Sequence, residues 1–92
     1  MLTTNTRLPY NQQYDNRFIK PVRMARNKTL RQMEEFMGVD YSTIAKLERG
    51  DLEFTPYYEE KFKMAIKRLR VSNVELASIR KIIEMKEQRG YK

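Results

Sequence analysis

The 92-residue chain contains no cysteine and no histidine. Those two absences exclude disulfides, thiolate nucleophiles, imidazole bases and the ordinary ligand sets of zinc. Most enzyme mechanisms lose their usual parts with them, so no catalytic role, no cofactor and no metal site is expected. No apolar run approaches the ~20 residues of a membrane span. The opening Met1-Leu2-Thr3-Thr4-Asn5 has no basic stretch followed by an apolar one, the pattern of a secretory leader. A cytoplasmic protein with no membrane partner is expected. Alternating apolar and polar runs and hairpin dipeptides are missing as well, which argues against strands.

Basic charge, by contrast, is plentiful. Lys and Arg number 19 against 12 acids, a formal net charge of +7, which favours a polyanionic partner, nucleic acid ahead of anionic membrane. The length suits one domain, since domains usually run to about 100–150 residues. Residues 1–17 are rich in Thr, Asn, Gln and Tyr and lack an apolar period, so they read as a flexible arm. Residues 18–70 carry the helical pattern of a domain body, and 71–92 a C-terminal helix.

Pro21 suits the first position of a short helix over about Pro21 to Asn27, with Phe18 and Ile19 packing back onto the body. Thr29-Leu30-Arg31-Gln32 is a capping box that opens a helix from Leu30 to Met37, ended by Gly38. Asp40 caps a third helix, about Tyr41 to Arg49, whose inward face is Ile44 and Leu47 and which Gly50 ends. Thr55-Pro56 starts a fourth, with Tyr58, Phe62, Ala65, Ile66 and Leu69 as its stripe. Ser72-Asn73-Val74-Glu75 is a second capping box, opening a fifth that runs to about Gln88.

Two helices joined by the tight turn Gly38-Val39-Asp40, inside a basic five-helix domain, make a helix-turn-helix arrangement. Arg23, Thr29, Met33, Met37, Gly38, Val39, Ile44, Leu47 and Glu48-Arg49-Gly50 stand in the order and spacing of a known family. From about Phe18 to Leu69 the chain resembles the lambda-repressor-like DNA-binding domain, the Cro, phage-repressor and xenobiotic-response-element type. The resemblance implies an all-α fold and a regulator that binds double-stranded DNA, often a repressor from a phage or mobile element. It also implies an ion pair between Arg23 and Glu48.

Family position assigns base contacts to Tyr41, Ser42 and Lys46, with Thr43 at the margin. Lys46 can donate to guanine O6 and N7, Ser42 can pair with several bases, and Tyr41 suits either a thymine methyl or a phosphate. Thr29 and the free amides that start the second helix are expected to hold a phosphate, with Lys28, Arg31 and Arg49 adding charge. Arg7, Arg17 and Lys20, interleaved with Tyr10 and Tyr14, offer arm contacts to backbone or minor groove; a tail without a role is the competing reading.

Four positions depart from the family pattern. Glu34 replaces a small residue, which predicts either a changed helix angle or an outward side chain. Lys28 replaces an apolar residue, Leu30 a polar one, and the loop Asp51-Leu52-Glu53 is acidic where phosphate approach favours Lys or Arg. On the fifth helix Leu76, Ile79 and Ile83 form one stripe, while Val74 and Met85 lie nearly opposite with Ile82 between. The second stripe serves either a wide core or a homodimer contact through Ile82 and Met85. A protein-interaction module on the same fold, modulating another regulator, is the alternative function, and the acidic loop favours it.

Overall fold

Helix ends in this chain are set by side chains placed at the caps. The computed structural model describes residues 14–88. They form a 3-10 turn, Asn16–Phe18, followed by α1 (Ile19–Ala25), α2 (Leu30–Met37), α3 (Tyr41–Arg49), α4 (Pro56–Arg68) and α5 (Asn73–Gln88), with no strand among the described residues. Thr29 and Gln32 close the capping box of α2 reciprocally, at 3.1 and 2.9 Å. Ser72 and Glu75 do the same for α5. Gly38 and Gly50 take left-handed backbone conformations, φ 73° and 83°, which turn the chain at little steric expense.

The first helix differs from the sequence expectation at both ends. It begins at Ile19, so Pro21 is its third residue and not its first. None of the first four amides of a helix has an intrahelical acceptor, so proline fits there without losing a bond. Asp15 caps the preceding 3-10 turn through the Arg17 amide at 3.0 Å, and that turn winds directly into α1. The helix stops at Ala25 because Asn27 adopts φ 55°, while the Lys28 amide reaches back to the Arg23 carbonyl at 3.0 Å.

The arm boundary also moves. Tyr14 packs edge-on against Phe18 and Phe62, with ring centroids 5.1 and 5.8 Å away, and its amide donates to Glu59 at 3.1 Å. Residues 14–17 thus belong to the body, because a half-buried aromatic ring packed against two others outweighs the polar composition around it. Arg7 and the rest of the expected arm lie outside the described residues.

Seven side chains are shielded almost completely: Phe62, Ile19, Met33, Met37, Ile44, Leu47 and Val22. Each contributes roughly 1.5–3 kcal/mol of apolar burial. Leu76, Ile79 and Ile83 of α5 join the same cluster, so 71–88 is part of one core. Arg26 ties α1 to the α4–α5 connection: it donates to the carbonyls of Leu69 and Arg70 at 3.0 Å each and forks onto Glu75 at 2.8 Å. No helix among the described residues is long and apolar enough to cross a membrane.

Candidate nucleic-acid interface

The helix pair α2–α3 is held from behind. Met33 and Met37 on α2, and Ile44 and Leu47 on α3, are buried, which leaves the opposite face of α3 outward. Tyr41, Ser42 and Lys46 lie on that face and are exposed, while Thr43 is half-buried. The Arg31 guanidinium stacks 4.3 Å from the centre of the Tyr41 ring, so the start of α2 is brought beside the start of α3.

The first amides of α3 are already occupied. The Ser42 amide donates to Asp40 at 2.9 Å, and the Tyr41 amide donates to Glu34 at 2.8 Å. Glu34 therefore neither enters the helix packing nor points simply outward: it is half-buried and caps the neighbouring helix. A carboxylate forced towards an interface has to find donors, and orphan amides at a helix start supply them. The Ser42 hydroxyl also donates to Asp40. These bonds, the hydroxyl first, hold the Asp40 carboxyl below its usual range, with the Arg31 charge a lesser cause.

Behind the pair, Arg23 forks onto Glu48 with bonds of 2.8 and 3.0 Å. Both side chains are about nine-tenths buried, at 11% and 9% exposure. A third guanidinium bond, to the Lys28 carbonyl at 3.0 Å, locks the α1–α2 connection to α3. Charge-assisted, bidentate pairs of this kind are geometrically specific.

The cations expected to meet phosphate are dispersed. Lys28 places its ammonium 5.3 Å over the Phe36 ring, which takes Arg68 of α4 at the same distance. Arg49 is paired with Asp51 at 2.8 Å. Arg17 is bound by Asp15 and by Glu87 of α5, which removes it from any arm, and Lys20 lies exposed beside α5. The stretch 28–55 carries Lys28, Arg31, Lys46 and Arg49 against Glu34, Glu35, Asp40, Glu48, Asp51 and Glu53. The stretch 28–55 is thus net acidic through its connecting loops, while α2 and α3 themselves balance three cations against three acids, and the positive surplus sits in the flanking segments. On α5, Val74, Ile82 and Met85 are exposed at 76%, 53% and 44%.

Glu34, Asp40 and Phe36 matter more at this face than their sequence positions announce. Asp40 was legible as a cap, whereas its hold on the Ser42 hydroxyl was not. Among the described residues no three carboxylates gather where a metal ion could be held. No protein-family model matches the chain, and neither the curated proteins nor the solved structures yield a significant match.

Proposed function

We propose that this protein is a sequence-specific regulator that binds double-stranded DNA, a lambda-repressor-like helix-turn-helix domain that inserts α3 into the major groove. The carrying observation is the exposed face Tyr41, Ser42 and Lys46 on a helix anchored from behind by Ile44 and Leu47. An α-helix fits the major groove, where each base pair presents a distinct donor and acceptor pattern. A three-residue turn to a capped preceding helix is the arrangement that sets such a helix on DNA. In this reading Arg31 and Thr29 meet backbone, Lys28 and Arg49 add charge, and the second half of α5 pairs two copies over two half-sites. Arg49 has only to leave an exposed pair, worth ~0–1 kcal/mol. A role at a phage or mobile-element promoter, in the cytoplasm, and repression as its sense, follow from the family resemblance.

The test compares Lys46→Ala and Arg31→Ala on a selected duplex and a scrambled one at two salt concentrations. Lys46→Ala is expected to relax preference at one or two base pairs, each good contact being worth about 1–3 kcal/mol. Arg31→Ala is expected to weaken both duplexes alike and to flatten the salt slope by about one unit. The reverse pattern would remove α3 as the reading head. The acidic loop Asp51-Leu52-Glu53 and the apolar stripe on α5 favour a second reading, a module that binds another protein. Association through apolar contact is nearly independent of salt, whereas phosphate contact is not, so the same titrations separate the two.

A further inference from the structure

Between the start of α1 and the second half of α5 runs a groove of about 440 Å³, within the usual size range of small-ligand sites. Its floor is apolar: Pro21 on one side, Ile79, Ile82 and Ile83 on the other. Two acids stand at its rim, and the fold already occupies both. Glu48 is taken by Arg23, and Glu87 by Arg17. Lys20 and Lys86 flank the same floor, one from each helix, and neither forms an ion pair among the described residues. Ile82 keeps 53% of its surface open over this floor.

We propose that this groove is a binding site for a small amphipathic anion, a carboxylate carrying a hydrocarbon chain or ring. The hydrocarbon covers Ile79, Ile82 and Ile83, and the carboxylate lies between the Lys20 and Lys86 ammonium groups, which reach over apolar surface on flexible stems. The side chains of residues 1–13 and 89–92 include Arg7, Arg89 and Lys92 and no acid, so they do not complement Lys20 and Lys86. A second copy of α5 paired through Ile82 and Met85 would compete for the same face, and it would bring Glu84 and Glu87 as well as Lys81 and Lys86. An acidic, apolar molecule complements what the groove displays, and by covering Ile82 it would exclude pairing through α5. The site is independent of whether α3 reads DNA.

Octanoate is the probe, titrated into the full chain while the isoleucine methyl resonances are followed by NMR, with 1-octanol as the uncharged control. The expected result is a saturable, one-to-one shift confined to Ile79, Ile82 and Ile83, with octanol at least about tenfold weaker, the equivalent of one charge-assisted contact. The pair Lys20→Gln and Lys86→Gln should lower octanoate affinity by a similar factor. Ile82→Asp, an exposed position that leaves the core intact, should abolish it. Equal binding of octanol, shifts spread to the buried Ile19, Ile44 or Ile66, or shifts that follow protein concentration in place of octanoate would each overturn the proposal.

Discussion

The carboxylate of Asp40 accepts two hydrogen bonds from Ser42, one from its amide at 2.9 Å and one from its hydroxyl. With that carboxyl held ionised, it can only accept, so the single hydroxyl proton of Ser42 is committed. What remains at Ser42 is a pair of acceptor sites. A base edge opposite it must then supply a donor, the amino group of adenine or cytosine. Selection from a randomised duplex pool should enrich one of those two bases at a single position. Asp40→Gly keeps a tolerable cap, losing only a few tenths of a kcal/mol, but releases the proton, and guanine and thymine should then enter. Enrichment without any change in Asp40→Gly would mean that the bond is given up on DNA. No enrichment at all would count against α3 as the reading head.

Glu48→Ala should destabilise the fold by about 3–5 kcal/mol in denaturant titration, since it strands a guanidinium that is nearly buried. Replacing Arg23 and Glu48 together by Met and Leu should recover much of that loss, because the stranded charge leaves as well. A Glu48→Ala loss within ~0.5 kcal/mol, the range of ordinary surface changes, would place the carboxylate in solvent.

Arg70 occupies the left-handed region at φ 58°, where the Val71 amide bonds the Ile66 carbonyl at 3.1 Å to end α4. A side chain there carries a penalty of order 1 kcal/mol that glycine avoids. Arg70→Gly should therefore raise stability by about 0.5 kcal/mol, the greater freedom of glycine in the unfolded chain offsetting part of the gain. Arg70→Ala should show no such gain. Thermal melts of the two variants decide the matter, and equal melting points would locate no strain at this residue.

Much of this architecture was legible in the residues. The starts and ends of α2 and α3 follow from Thr29, Gly38, Asp40 and Gly50, all local signals acting within one turn. The α5 stripe Leu76, Ile79 and Ile83 follows from periodicity. Tyr14, Arg26 and Phe36 were opaque for a common reason: Tyr14 meets Glu59 and Arg26 meets Glu75 across more than forty residues. Phe36 acquires its cations from α4 and from the α1–α2 connection. Contacts of that reach leave no periodic trace. The charge imbalance of the stretch 28–55, by contrast, was readable by segment, although the total charge concealed it.

Acid should weaken the fold in a defined window. Arg26, followed by the Ser72 amide, holds the Glu75 carboxyl down at about 2, from an ordinary 4.5. A carboxylate whose folded pKa is depressed stabilises fully above the unfolded value and loses that contribution as pH falls through the folded one. The native chain should thus lose melting temperature between about pH 4.5 and 2 more steeply than Glu75→Gln, which lacks the titrating group. Parallel curves for the two proteins would show that the pair does not persist in solution.

For assembly, the exposed Ile82 and Met85 predict a dimer through α5. Met85→Glu should leave circular dichroism unchanged while sedimentation shifts to the monomer and binding to a two-half-site duplex weakens. A native chain that sediments as a monomer at high concentration, and also on DNA, would assign the stripe no partner copy.

The acidic stretch 28–55 within a basic chain gives the molecule an uneven charge distribution around α3. On the proposed DNA-binding reading, a duplex within a Debye length of ~8–10 Å would be drawn first to the flanking segments and repelled by Glu35, Asp51 and Glu53, so early encounters would present the wrong side. Those encounters would release more counterions than a complex seated on α3, and log affinity falls with log salt in proportion to that number. Rising ionic strength would accordingly dissolve the misoriented complexes faster than the seated one, and discrimination between cognate and scrambled DNA would widen as total affinity declines.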